Sequence, residues 1–122
     1  MHRSRLQDRE PFTTLDGSTI REVAHPAWTA ARHQSLAEAT VPPHGATEAH
    51  LHRVTEELYF FTAGRGRLQV GDLERDVAPG DCAVIPPGTV HKLWNIGQDD
   101  LVLLCCCAPA YSHEDTVLVE AP

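Results

Sequence analysis

Gly80-Asp81-Cys82-Ala83-Val84-Ile85-Pro86-Pro87-Gly88-Thr89-Val90-His91-Lys92-Leu93-Trp94-Asn95 consists of two short apolar runs divided by a Pro-Pro-Gly turn. At Pro87-Gly88, proline presets the second residue of a turn and glycine accepts positive φ at the third, so a tight reversal is expected. The chain then enters a strand on which His91, Leu93 and Asn95 share a face, because strand side chains alternate with a period of two. His91 can therefore present an imidazole to an interior. Average residue usage puts the Gly80-Pro86-Gly88 spacing alone at roughly two chance matches in ten thousand start points.

Upstream lies His50-Leu51-His52-Arg53-Val54-Thr55-Glu56-Glu57, with six residues between Glu57 and Gly64. On a strand, His50 and His52 project from the same face and both imidazoles reach a common point, while Leu51 faces the other way. A reversal near Arg53 to Glu56 makes the next strand antiparallel and places Glu57 beside the histidine pair. The same face would carry Tyr59 and Phe61, and the opposite face Glu56, Leu58 and Phe60.

The rest of the chain repeats this texture. Short apolar or alternating segments recur about every ten residues between Gly and Pro signals, the pattern of an all-β sandwich or barrel. Strands are expected over 19–24, 34–41, 47–52, 57–63, 67–70, 74–78, 82–85, 90–95 and 101–108. Pro79-Gly80, Gly64-Arg65-Gly66 and Gly71-Asp72 supply further turns, and there are no long amphipathic helices. A chain of 122 residues is of ordinary size for one domain. Residues 1–14 read as a polar arm, 15–108 as the barrel and 109–122 as a C-terminal extension.

The two quoted segments, in this order, resemble the two motifs of the cupin superfamily, and the matched span runs from about Val41 to Asn95. The second motif agrees at every fixed position; the first agrees at both histidines, the glutamate and the closing Gly64. The resemblance implies a small jelly-roll barrel, or double-stranded β-helix, of the metal-binding type. It also implies a metal held by His50, His52, Glu57 and His91. Glu56 is the rival carboxylate, set aside because the interval to Gly64 fits Glu57. In Val41-Pro42-Pro43-His44-Gly45, His44 stands where the family has glycine. A turn with positive φ is expected there, since histidine adopts it more readily than most residues; the alternative is a fourth imidazole near the barrel mouth.

A site of three imidazoles and one carboxylate suits one divalent transition metal, Fe, Mn, Ni, Co or Zn, whereas Ca²⁺ and Mg²⁺ prefer oxygen ligands throughout. Such an ion can act as a Lewis acid in isomerisation, dehydration or lysis of a small polar metabolite. The alternatives are an Fe(II)-dependent dioxygenase and a non-catalytic small-ligand-binding cupin. Proton transfer needs a group beyond the ligands; Tyr59, Tyr111 and His113 are the candidates, with His44 and Lys92 behind them. Lys92 shares the outward face of Trp94.

Other partners are constrained by composition. The net charge is −7 with only ten Lys and Arg, which argues against nucleic acid, whose phosphates require a concentrated positive face. No apolar run is long enough to span a bilayer or resembles a secretory signal, so no membrane association and a cytoplasmic location are expected. In Leu101-Val102-Leu103-Leu104-Cys105-Cys106-Cys107-Ala108 the cysteines read as small hydrophobes of a buried strand; only Cys105 and Cys107 could converge on one ligand. A homodimer is implied by the resemblance alone.

Overall fold

In the computed structural model, which describes residues 1–120, each expected apolar segment is a strand. The elements are a single 3₁₀ turn (Leu6–Asp8), β1 (Phe12–Thr13), β2 (Thr19–Ala24), β3 (Ser35–Val41), β4 (His50–His52), β5 (Glu56–Ala63) and β6 (Gly66–Val70). They continue with β7 (Leu73–Val77), β8 (Cys82–Ile85), β9 (His91–Asn95), β10 (Leu101–Ala108) and β11 (Thr116–Leu118). One sheet has the order β1-β2-β3-β10-β5-β8 and the other β11-β4-β9-β6-β7. From β3 onward the chain changes sheet at almost every connection, which closes the two layers into the expected jelly-roll barrel.

Side-chain parity decides what each strand buries. Along β5, Glu57, Tyr59 and Phe61 point inward while Glu56, Leu58 and Phe60 point out. Along β9, His91, Leu93 and Asn95 are buried. The core is formed by Ile20, Val41, Phe61, Leu68, Ile85, Leu93, Leu101 and Leu103. The inward residues pass from Glu57 to Tyr59 and Phe61 along β5 and from His91 to Leu93 along β9, and this arrangement sets a polar cluster on an apolar floor.

The turns follow the sequence. Asp81 N–H donates to Ala78 O at 3.0 Å and Thr89 N–H to Pro86 O at 3.3 Å, with Gly88 at φ +76°. Gly64 has φ +83°, and a Cβ there would lie 2.5 Å from the Asp100 carbonyl oxygen, so this position admits only glycine on both counts. His44 adopts φ +66° on an exposed turn, as expected of its place in the motif. Asn95 ties the end of β9 to its surroundings: its amide donates to Val41 O at 2.9 Å and Asp99 O at 2.8 Å and accepts from Gly97 N–H at 2.8 Å.

Three features differ from the sequence expectation. Strand β4 begins at His50 rather than Thr47, because Thr47 bonds to Leu93 through its own N–H and its hydroxyl instead. The segment expected to be a C-terminal extension contributes β11, which pairs with β4 in the register Thr116↔His52 and Leu118↔His50. The N-terminal arm is fastened by its own chain: Phe12–Thr13 pairs with β2. Arg9 also donates to Glu22 O at 2.9 Å and stacks 3.7 Å above the Trp28 ring. Both terminal strands are two or three residues long, too short to carry a periodic signal. Among the described residues no helix is long and apolar enough to cross a membrane.

Neighbouring residues of β8 test this parity. Ile85 is 1% exposed and Val84 58%. Ile85→Ala should cost about 2–5 kcal/mol, and Val84→Ala less than about 1 kcal/mol, measured by urea unfolding. Equal losses would contradict the assignment of faces.

Candidate metal centre

His50 and His52 reach the barrel interior from β4, Glu57 from the start of β5 and His91 from the start of β9. His50 and His91 are direct cross-strand partners, and Glu57 is paired across β5 with Cys107 and Ile85. One ligand atom from each of His50, His52, Glu57 and His91 lies within 4.8 Å of all the others, and all four residues are buried. The separations from Glu57 Oε1 are 3.2 Å to His52 Nε2 and 3.5 Å to His91 Nε2.

The hydrogen bonds behind these rings fix which nitrogen faces the centre. His50 Nδ1 lies 2.8 Å from Glu48 O and His91 Nδ1 lies 3.0 Å from Thr89 O; a carbonyl only accepts, so each Nδ1 carries the proton. His52 Nδ1 lies 3.1 Å from Thr116 Oγ1, whose own hydrogen is donated to Ser112 O at 2.9 Å. That hydroxyl oxygen is left as an acceptor, so His52 Nδ1 is protonated as well. Each Nε2 is therefore left with a lone pair facing the centre: those of His52 and His91 lie within 3.5 Å of Glu57 Oε1, and that of His50 lies 3.4 Å from Asp16 Oδ2. Glu57 Oε1 and His91 Nε2 have no hydrogen-bond partner although both are fully buried. Lone pairs gathered in one buried cluster suit a cation between them, and this donor set fits a divalent ion such as those expected from the sequence.

Electrostatics agree with the geometry. Burial would raise the Glu57 pKa, but the nearby His52 and His91 rings outweigh it and hold the group at about 2. Burial, with repulsion from His91 second, lowers the His50 pKa below the ordinary imidazole value. His52 moves the other way: burial lowers it, but Glu57 overrides burial and raises it.

The centre forms part of the wall of a cavity of about 40 Å³, whose other walls include Asp16, Ser35, Tyr59, Cys105, Cys107, Tyr111 and Thr116, room for roughly three water molecules. Tyr59 is buried, its ring 5.9 Å from that of His91, and burial pushes its phenol well above the ordinary value. Tyr111 lies 6.0 Å from His52, ring to ring, and its hydroxyl is 3.0 Å from Nδ1 of the exposed His113. His113 does not line the cavity, nor does His44. Lys92 is turned outward, 5.3 Å from the Trp94 ring, and Glu56 is exposed on the outer face of β5.

Three contributors were missed by sequence reasoning. Asp16, in the loop before β2, brings Oδ2 to 3.4 Å from His50 Nε2. Thr116 orients His52 from β11. The Cys107 thiol donates to Glu57 Oε2 at 3.2 Å, so this inward cysteine positions a ligand carboxylate, while Cys106 turns away toward Gln34. Asp16-Gly17-Ser18 signals a turn and nothing more, and the other two contacts arise from pairing between distant strands.

The family model for the cupin domain matches residues 37–107. The chain is a cupin. It is 46% identical to an uncharacterized protein of Methanocaldococcus jannaschii over 111 residues, covering 91% of this chain and 89% of that protein. Among solved structures, the oxalate decarboxylase of Lactobacillus farciminis superimposes with a TM-score of 0.79 at 26% identity over 94% of this chain. This cupin spans only 35% of that longer chain. The polyketide cyclase RemF of Streptomyces resistomycificus gives a TM-score of 0.83 at 21% identity, covering all of this cupin and 87% of RemF; that likeness is one of fold.

Metal binding to this cupin competes with protonation of His52, whose pKa is raised by Glu57. Affinity should therefore fall as pH is lowered through that pKa, and near neutral pH the calorimetric binding enthalpy should depend on the buffer's ionisation enthalpy. An enthalpy independent of buffer would contradict the assignment. Thr116→Val removes the acceptor behind His52 and should weaken Zn²⁺ binding about 10–100-fold with the stoichiometry unchanged, as read by chelator competition.

Proposed function

We propose that this cupin is a metal-dependent enzyme that acts on a small polar metabolite by Lewis-acid chemistry of the isomerase, dehydratase or lyase type. The observation that carries the reading is the buried convergence of one ligand atom each from His50, His52, His91 and Glu57, the Glu57 Oε1 being unpartnered, at the wall of a small cavity. A divalent ion held there supplies polarisation of a carbonyl or hydroxyl oxygen and, with four protein ligands, retains room for exogenous ones.

Proton movement falls to Tyr111 and His113. Burial raises the Tyr111 pKa, so its phenol carries a proton at neutral pH and acts as a donor toward the cavity. His113, bonded to that hydroxyl and exposed to solvent, restores the proton to Tyr111 from bulk water. Tyr59 is fully enclosed and serves as a wall of the cavity rather than a path to solvent.

The test uses protein loaded with Zn²⁺ in D₂O without oxygen. Exchange of hydrogens beside the carbonyl, followed by proton NMR over a panel of small hydroxy-carbonyl compounds, is expected for at least one of them. Tyr111→Phe should slow the exchange about 100-fold or more without loss of zinc. Turnover only with Fe²⁺, matched by consumption of O₂, would support the dioxygenase instead; neither exchange nor O₂ consumption with any ion would leave a binding protein.

A further inference from the structure

Asp16 is held as a fixed acceptor at the metal centre. Its Oδ1 takes hydrogen bonds from the Thr14 hydroxyl at 2.6 Å, the Ser18 hydroxyl at 2.7 Å and the Ser18 N–H at 2.9 Å. This clamp leaves Oδ2 facing the centre, 3.4 Å from His50 Nε2. Asp16 is outside the set of ligand atoms that lie within 4.8 Å of one another, so it stands beside the ion's position rather than in the ligand set.

Charge balance then limits what can bind. With the imidazoles neutral, the two positive charges of a divalent ion are matched by Glu57 and Asp16. Glu22, a third carboxylate, also lines the cavity, its Oε1 accepting from the Trp28 indole at 3.0 Å. Among the described residues that line the cavity, none is Lys or Arg. An entering carboxylate or phosphate would add negative charge to a site already neutralised, with no cationic side chain to pair it, and buried charges without partners are unfavourable. A hydroxyl or amide N–H, by contrast, meets Asp16 Oδ2 as an acceptor.

We infer that this site selects small uncharged molecules that donate a hydroxyl or N–H hydrogen to Asp16, and disfavours anions such as oxalate. This deepens the metal-centre reading and rests on it. Asp16 is thereby a specificity-determining residue at the open side of the centre.

The experiment uses the full chain loaded with Co²⁺, whose visible absorption reports both occupancy of the site and entry of a new ligand. The probes are glycolate and glycolamide, which are alike in size and differ in charge. The wild type should bind glycolamide at least as tightly as glycolate. Asp16→Asn, which keeps a side-chain oxygen for the Thr14 and Ser18 bonds, should shift the ratio at least tenfold toward glycolate. A wild type that prefers glycolate, or a ratio unmoved in Asp16→Asn, overturns the inference. The wild-type preference is read without any variant, so it decides the matter even if Asp16→Asn does not fold. Failure of Co²⁺ to bind at all would sink the metal-centre reading itself, a result distinct from either of these.

Discussion

Glu57 Oε1 is a carboxylate oxygen buried without a hydrogen-bond partner and surrounded by imidazole nitrogens, and the construction of the barrel's polar end depends on it. Leaving such a charge unpaired costs on the order of several kcal/mol. The surrounding strands nevertheless reinforce the arrangement: Glu48 O, Thr89 O and Thr116 Oγ1 each hold one Nδ1–H, so no ring can turn a donor toward Glu57. The polypeptide stabilises a cluster of lone pairs that only a proton or a metal ion can satisfy. The opposing shifts of His50 and His52 follow from this, as one ring is dominated by burial and the other by the carboxylate beside it.

The same parity that buries Glu57 also shapes the pocket. Strands β5, β9 and β10 each send alternate residues inward, so Tyr59, Leu93 and Cys105 form apolar walls within two residues of a polar one. Asp16 and Tyr111 enter from opposite ends of the sequence, and each is anchored: Asp16 by Thr14 and Ser18, Tyr111 through its N–H to Ser35 and its carbonyl to His25. A cavity results with carboxylates, phenols and hydroxyls and, among the described residues, neither Lys nor Arg.

Much of this was legible in the sequence because it is periodic. Alternation at His50-Leu51-His52 and at His91-Lys92-Leu93 placed the imidazoles on inward faces, and the interval from Glu57 to Gly64 separated Glu57 from Glu56. The nine expected strands formed for the same reason. The parts that were not legible depend on contacts between distant segments. Thr116 matters because β11 pairs with β4, yet three residues of strand show no pattern. Asp16 reads as a turn former, and only the packing of its loop against the barrel brings Oδ2 to His50. The cysteine run forms the expected strand, with Cys107 buried and Cys105 and Cys106 half-buried, but the bond from Cys107 to Glu57 required the register between β10 and β5. His44 illustrates the reverse: its positive φ was anticipated from its slot in the motif, and its exposure removes it from the chemistry.

The central claim is that His50, His52, Glu57 and His91 hold one divalent cation in each chain. Elemental analysis of protein purified without a polyhistidine tag measures this most directly. The account predicts one divalent transition metal per chain and near-complete loss in His91→Ala. A wild-type content well below one, unchanged by adding Fe²⁺, Mn²⁺, Ni²⁺ or Zn²⁺, would contradict it.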